Sequence, residues 1–148
     1  MGPSGPGWRG SLGLLGVLMS LAGVLAPASG TLAPAPVVHE IDWRTSPLDL
    51  NLRGLNGGRL RFHCPPGKPL AGQVLGSGPY TDGSSICAAA AHAGVIRAAS
   101  GGLVTIELRP GQRHYVGSLH HYVQSEDYEP FWGGSFLVVA PDAAAQPP

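Results

Sequence analysis

The stretch from Ser84 to Ile96 sets the first limit on the fold of this chain, because it contains no Asp, Glu, Lys or Arg. Its centre is a run of four alanines, and its one histidine is His92. A helix that is apolar on every side is buried. We therefore expect a buried central helix over residues 84–95, capped by one of the polar residues 81–84 and ended near Gly94.

Alternating apolar and polar residues on both sides of this stretch predict β-strands. Residues 48–52 and 60–64 both alternate in this way, and the Gly-rich segment 54–58 between them predicts a hairpin. The leucines of this hairpin and Cys64 would then face the core. Further strands are predicted at 73–75, 103–108 and 135–140. The pattern as a whole predicts an α+β domain in which antiparallel strands wrap a central buried helix.

The charge and cysteine content exclude several classes of protein. Nine Lys and Arg residues balance nine Asp and Glu residues over 148 positions, so the formal net charge is zero. This balance argues against nucleic acid as a partner. Only two cysteines are present, Cys64 and Cys87, which is too few for a dense disulfide scaffold or a four-thiolate zinc site.

The first 30 residues have the layout of a secretory signal peptide. Arg9 precedes the apolar run Leu12–Ala26, and small residues follow, so we expect cleavage after Ala28 or Gly30. The run has 15 residues, fewer than the roughly 18 to 20 that cross a bilayer, and no stable membrane span is expected. The product would be secreted and extracellular. The rest of the chain divides into a flexible lead-in at 31–42, a folded domain at 43–140 and a disordered tail at 141–148.

The side chains that catalyse reactions or bind metals in other proteins do not form a recognisable site here. Cys87 and His92 lie about 140° apart around a helix, so they do not form a nucleophile pair. His120 and His121 are adjacent, and adjacent residues of a strand point to opposite faces. We therefore predict no catalytic residue, no metal and no cofactor, and a protein that is not an enzyme.

The segment from Arg109 to Trp132 interleaves cationic side chains with aromatic rings. This combination suits an anionic glycan or a lipid head group. The alternative is that Phe131 and Trp132 pack beneath the last strand while the charges stay solvated, and nearby carboxylates weaken the positive field. The candidate binding patch consists of Arg109, Arg113, His114, Tyr115, His120, His121, Tyr122 and Trp132.

The run from Tyr80 to Cys87, followed by residues 91–96, resembles the signature of the LCCL domain family. Cys64-Pro65 before it and residues 101–105 after it are similar to the family as well. The resemblance implies a central helix wrapped by antiparallel strands, as the alternation also predicts. The signature residues are Tyr80, Asp82, Ser84, Ser85, Ile86, Cys87, His92, Ala93 and Gly94.

The function that the resemblance implies is binding. Family members are parts of secreted, often multidomain proteins of extracellular matrix and host defence, and lipopolysaccharide binding has been associated with some of them. The expected partner is therefore an unknown extracellular ligand: a protein, a glycan or a lipopolysaccharide-like component of a microbial surface. The alternative is a structural module of the extracellular matrix with protein partners only.

The cysteines depart from the family pattern. Members usually carry four, paired first with second and third with fourth. Cys64 and Cys87 match the second and the fourth, and Lys68 stands where the third is expected. Either the two cysteines pair with each other in the oxidising secretory pathway, or they remain two buried thiols. Cα atoms more than about 7 Å apart would exclude the bridge.

Overall fold

The computed structural model describes residues 34–141 without a break, together with positions 2, 4–5, 13, 23, 25–26 and 29–30. Most of the predicted signal peptide therefore lies outside the described residues, as do residues 31–33 of the predicted lead-in and 142–148 of the predicted tail. Within the part that is described, no helix is both long enough and apolar enough to cross a membrane.

Seven strands and one α-helix make up the described fold. In chain order they are β1 (Val38–Glu40), β2 (Arg59–Cys64), β3 (Tyr80–Thr81), α1 (Ile86–His92), β4 (Gly102–Gln112), β5 (Leu119–His120), β6 (Val123–Gln124) and β7 (Trp132–Val139). Five of the strands form one sheet in the order β1-β2-β4-β7-β3, and β5 and β6 form a separate hairpin. Only β1 and β2 run parallel, and every other pair is antiparallel.

One face of the five-stranded sheet is buried against α1. The register places Phe62 of β2 opposite Val104 of β4, and Leu108 of β4 opposite Phe136 of β7. All four side chains are buried in one cluster with the helix alanines. The β5–β6 hairpin packs on α1 as well, through the buried Val123. The predicted α+β fold with a buried helix among antiparallel strands is confirmed.

The helix is shorter than predicted, and its N-cap lies one residue after the last expected cap. All seven residues of Ile86–His92 are buried. The N-cap is Ser85, whose hydroxyl accepts a hydrogen bond from the backbone N–H of Ala88 at 3.1 Å. Ser84, one of the three side chains expected as caps, binds the preceding loop instead. Gly94 follows the helix with a φ of +77°, a left-handed conformation that favours glycine at a helix end.

Residues 48–52 do not form a strand, so the prediction of a hairpin with β2 is wrong. Consecutive turns replace it, because the carboxylate of Asp49 accepts hydrogen bonds from both the N–H and the hydroxyl of Ser46, at 2.9 and 2.7 Å. Such local bonds compete with a sheet ladder. Leu48 and Leu50 remain 37% and 38% exposed, so they do not form a buried leucine face. The sheet partners of β2 are β1 and β4.

Two short segments also differ from the prediction. Val38–Glu40 falls in the expected flexible lead-in but forms β1, which adds to the edge of β2. All three of its residues are exposed, so no alternation in burial marked this strand. The predicted strand at 73–75 is reduced to a single bridge between Leu75 and Glu126.

Cys64 and Cys87 are bonded to each other, with their Cα atoms 5.7 Å apart. Both residues are fully buried, Cys64 at the end of β2 and Cys87 in the first turn of α1. Of the two alternatives left open by the sequence, the structure contains the bridge, and the described residues include no free cysteine. The bond joins the central helix to a strand of the main sheet.

Replacing both cysteines with alanine is expected to lower the free energy of unfolding by about 3 kcal/mol, since the bridge closes a loop between residues 23 positions apart. Urea unfolding of the oxidised wild type and of the Cys64→Ala/Cys87→Ala variant measures this difference. The reduced wild type is the control, because it loses the bond and keeps both sulfurs. Equal midpoints for oxidised and reduced wild type would contradict the prediction.

Candidate functional site

His92 lies at the buried end of α1 and uses both ring nitrogens. Its Nε2 is 3.0 Å from the carbonyl oxygen of Ser118, and its Nδ1 is 2.9 Å from the hydroxyl of Tyr80. A carbonyl oxygen only accepts, so Nε2 carries the proton and the Tyr80 hydroxyl donates to Nδ1. These two bonds specify the neutral imidazole.

Burial sets the protonation of this pair. It lowers the pKa of His92 below the ordinary value of 6.5, the bond to Ser118 opposes that effect, and the neighbouring His120 and His121 lower the pKa further. Burial also raises the pKa of Tyr80 to about 12. The site thus holds a neutral imidazole and a protonated phenol at neutral pH.

The β5–β6 hairpin is fastened to the end of α1 by its own histidines. The Nδ1 of His121 donates to the carbonyl oxygen of His92 at 2.9 Å, and this carbonyl is one that a helix end leaves without an internal partner. The ring of His121 lies directly on Gly94, where a Cβ atom would be only 2.5 Å from it. The ring of His120 meets that of His92 edge-on, with 5.3 Å between centroids.

Asp82 is the one buried carboxylate of the signature and holds three segments together. Arg53 donates two hydrogen bonds to it, from Nε and from a terminal nitrogen, each 2.8 Å long. The indole N–H of Trp132 donates a third at 2.6 Å. Burial raises the pKa of Asp82, but the bonds from Arg53 and Trp132 outweigh this effect and hold the pKa below 3.8. The carboxylate is therefore ionised and fully used within the fold.

Sequence reasoning missed Arg53, which lies 29 positions from its partner Asp82. The available signal was the carboxylate itself, because a buried Asp requires a cation or several donors. That rule does not say which of several arginines fills the role. Gly134 shows a second requirement, since a Cβ atom there would be 2.0 Å from the Asp82 carboxylate.

The candidate binding patch does not form one surface. Tyr115 is only 2% exposed, and its hydroxyl lies among backbone groups of Gln112 and Gly134, so its prediction as a surface residue is wrong. Trp132 is half-buried through its bond to Asp82. Of the two residues that the alternative placed beneath the last strand, Trp132 is half-buried, whereas Phe131 is 60% exposed and does not pack there.

The other patch residues divide into two groups along a paired segment. Gln112 pairs with Trp132, Tyr115 with Tyr128, and His120 with Val123, so residues 112–132 form one long paired segment with its turn at His121 and Tyr122. The base group consists of Arg109, Arg113 and His114, and the tip group of His120, His121 and Tyr122.

The base group is largely paired with carboxylates. Arg109 contacts Glu107 at 2.6 Å, and His114 contacts Glu129. Among the described residues, no carboxylate lies within 4.0 Å of the Arg113 guanidinium. Arg113 is therefore the cation of this group that is available to a ligand.

In the described part of the chain, Cys87 and His92 do not form a nucleophile pair, and no metal cluster is assembled. The sulfur of Cys87 is bonded to Cys64, so it offers no thiol to His92. Over residues 34–141, His, Cys, Asp and Glu side chains form no group of three or more arranged to hold a metal ion. The histidines that are close together instead fasten the hairpin to the helix.

The family of the chain is shown by a match over most of the folded part. The LCCL domain model matches residues 41–135, and the chain belongs to the LCCL domain family. The match takes in β2, the disulfide, the helix and Asp82 with both of its partners.

The chain is also similar to longer curated proteins. It is 42% identical over 79 residues to human cysteine-rich secretory protein LCCL domain-containing 2, covering 53% of this chain and 16% of the relative. It is 36% identical over 103 residues to bovine cochlin, covering 68% of this chain and 18% of the relative. Bovine vitrin is 41% identical over 76 residues, with 51% and 11% covered. The chain thus spans less than a fifth of each of these relatives.

Asp82→Asn is expected to destabilise the protein by about 2 kcal/mol at neutral pH, because it leaves the Arg53 guanidinium without its counter-charge while that group keeps contact with water. Thermal and urea unfolding measure the effect. Glu126→Gln, an exposed carboxylate, is the matched control and should leave stability unchanged.

The same carboxylate predicts an acid-dependent step. Its pKa is lower in the folded state than the ordinary 3.8, so its stabilisation is present above that value and is lost as the pH falls through the folded pKa. Between roughly pH 5 and pH 2, the free energy of unfolding should therefore depend less on pH in Asp82→Asn than in Glu126→Gln. A parallel loss in both variants would contradict the assignment.

His92 predicts a second pH dependence. Its pKa is depressed in the folded state, so the unfolded chain binds the proton first and stability falls as the pH drops below about 6.5. Replacing His92 with Gln should reduce this slope, although the variant is less stable at every pH. Unfolding free energies from pH 8 to pH 5, with His114→Gln as the control, measure the slope. An unchanged slope in His92→Gln would show that another group is responsible.

Proposed function

We propose that this protein is a secreted LCCL module that acts by binding an anionic extracellular ligand, a glycan or lipid component of a microbial surface. Arg113 of the base group and Tyr122 of the tip group are its proposed contacts. The family assignment supports a role as a module rather than an independent enzyme. The positive charge of Arg113 supports an anionic ligand, and the exposed ring of Tyr122 supports an apolar contact beside it.

Tyr122 is the observation that carries this proposal. Its side chain is fully exposed and contacts none of the core. Tyr122 and His121 also have left-handed φ values of 63° and 49°, a conformation that costs a non-glycine residue about 1 kcal/mol. A fully exposed aromatic ring contributes little to the stability of the fold. We therefore assign this ring to contact with the ligand.

Secretion is part of the same proposal and is supported independently. Arg9 and the apolar run Leu12–Ala26 have the composition of a cleaved signal. The Cys64–Cys87 disulfide fits the oxidising compartments through which such a chain passes. One similar human protein is itself named a secretory protein.

A structural role with protein partners only is the second candidate. The observation that favours it is a set of exposed apolar side chains on the same paired segment, Val116, Leu119 and Phe131. Exposed apolar side chains of this size are found at protein interfaces. The two candidates differ in the charge of the partner and therefore in the effect of salt.

Retention of the purified full-chain product on immobilised lipopolysaccharide and on an acidic glycan tests the proposal. We expect retention that weakens with salt, and a two- to fivefold loss in Arg113→Gln and in Tyr122→Ala, as for single exposed contacts. Arg44→Gln, an exposed arginine outside the patch, is the matched control.

The result that would reject binding to an anionic surface is an absence of retention at low salt, or equal retention by Arg113→Gln and the wild type. Salt-independent capture of a protein partner that is lost in Leu119→Ser would favour the structural role instead. N-terminal sequencing of material secreted by cells tests the signal peptide, with cleavage expected after Ala28 or Gly30.

A further inference from the structure

We propose that a groove on the outer face of the main sheet binds a single-chain lipid with an anionic phosphate head group. The groove has a volume of about 530 Å³ and lies across β1, β2, β4 and the end of β7. This volume is in the range of small-molecule sites. We call it the outer groove, and its lining includes Val37, Arg59, Arg61, Leu103, Thr105 and Val139. Leu60 and Val95, which also pack against the core, complete its apolar side.

The register explains why these side chains share one face. Phe62 and Cys64 point into the core, so Arg59 and Arg61 of β2 point outward. Arg61 stands opposite Thr105 of β4, and Thr105 stands opposite Val139 of β7. The three side chains therefore form a row across the sheet, with about 5 Å between neighbours.

The charges in the outer groove are all positive. Two guanidinium groups line it, and none of its described lining residues is Asp or Glu. The carboxylate that contacts these arginines is that of Glu107, which accepts a hydrogen bond from the Nε of Arg59 and also contacts Arg109. Its hydrogen bonds with these two arginines hold the pKa of Glu107 below its ordinary value, so it stays ionised and balances one of the arginines. Arg61 has no carboxylate within 4.0 Å among the described residues, so an anion is the complementary ligand.

The rest of the lining is mostly apolar and open to solvent. Leu103 is 60% exposed and Val37 is 72% exposed, although both lie in or beside the main sheet. Val139 is half-buried at the end of β7. An apolar chain that covers these three side chains would remove their surface from water.

The hydrogen-bonding capacity of this face favours a hydrocarbon chain over a peptide. Arg61 of β2 pairs with both β1 and β4, and Thr105 of β4 pairs with both β2 and β7, so the backbone at the middle of the row has strands on both sides. A peptide lying across them would bury N–H and C=O groups without partners, which is unfavourable. A saccharide meets the same difficulty, because the Thr105 hydroxyl and the two arginines are the main donors along the row. An acyl chain has no polar groups to satisfy.

The outer groove shares no residue with Arg113 or the tip group, so this inference is independent of the proposed binding to microbial surfaces. The head group of the lipid would lie at Arg59 and Arg61, and its acyl chain would run toward Leu103 and Val139. The site takes one lipid molecule, which distinguishes it from adsorption of the whole protein to a membrane.

Calorimetric titration of the purified full-chain product tests the site, with lipid kept below its micelle concentration. The probes are a lysophosphatidate with a 14-carbon chain, the lysophosphatidylcholine of the same chain, and inorganic phosphate alone. We expect the lysophosphatidate to bind best. Arg61→Gln should weaken that binding roughly tenfold and remove the preference over the choline lipid, since a charged hydrogen bond is lost.

Two matched pairs of variants separate this site from the rest of the surface. Leu103→Ser should weaken both lipids about three- to fivefold, because part of an apolar contact is lost. Leu55→Ser and Arg44→Gln replace a similarly exposed leucine and an exposed arginine outside both the outer groove and the candidate binding patch, and they should bind lipid like the wild type. All four substitutions are at residues outside the buried core, which keeps the variants folded.

Several results would overturn the inference. They are no lipid binding by the wild type, equal binding by Arg61→Gln and wild type, and phosphate alone binding as tightly as the lipid. Binding only to vesicles of mixed phosphatidylcholine and phosphatidylserine would assign the face to a membrane surface instead. Because the outer groove contains neither Arg113 nor Tyr122, loss of lipid binding leaves the outcome of the lipopolysaccharide test unaffected.

Discussion

The ion pair between Asp82 and Arg53 is the interaction on which the arrangement of the outer segments depends. Asp82 receives Arg53 from the turns before β2 and Trp132 from the start of β7, and its backbone N–H binds Gly134. A carboxylate buried in this way requires its partners, because removal of any one leaves a charge or a donor uncompensated. This side chain therefore holds the turn region against the sheet together with the backbone bonds that join Gly57 and Gly58 to Leu108. The alanine helix supplies the core, and Asp82 fixes what surrounds it.

The parts of this fold that sequence predicts are those with a local pattern. The absence of charge around Ala88–Ala91 marks the buried helix, and alternation marks β2, β4 and β7. At 48–52 the same alternation is misleading, since Asp49 and Ser46 bond locally and form turns. The strand β1 and the Arg53 partner depend on contacts between residues far apart in sequence, and no periodicity indicates them. In the candidate patch, the buried position of Tyr115 has the same origin.

The signature that identifies the family describes a core and not a surface. Tyr80, Asp82, Ser85, Cys87 and His92 are all buried, and each is bonded to another part of the fold. In this chain the signature residues are therefore not available to a ligand. The contacts that we propose lie around that core, at Tyr122 on the hairpin and at Arg61 on the sheet. Membership in the family therefore identifies the scaffold and leaves the surface chemistry unspecified.

The disulfide has a consequence in the extracellular setting that we propose for this chain, where proteases are present. Cys64 and Cys87 enclose the exposed 3₁₀ turn Pro69–Ala71, in which Leu70 is almost fully accessible. Exposed turns of this kind are preferred sites of cleavage. A single cut there leaves both fragments covalently linked, with the helix still attached to β2. Such a nicked molecule would migrate as one species without reductant and as two with it, and the sheet and its groove would persist after the chain is no longer continuous.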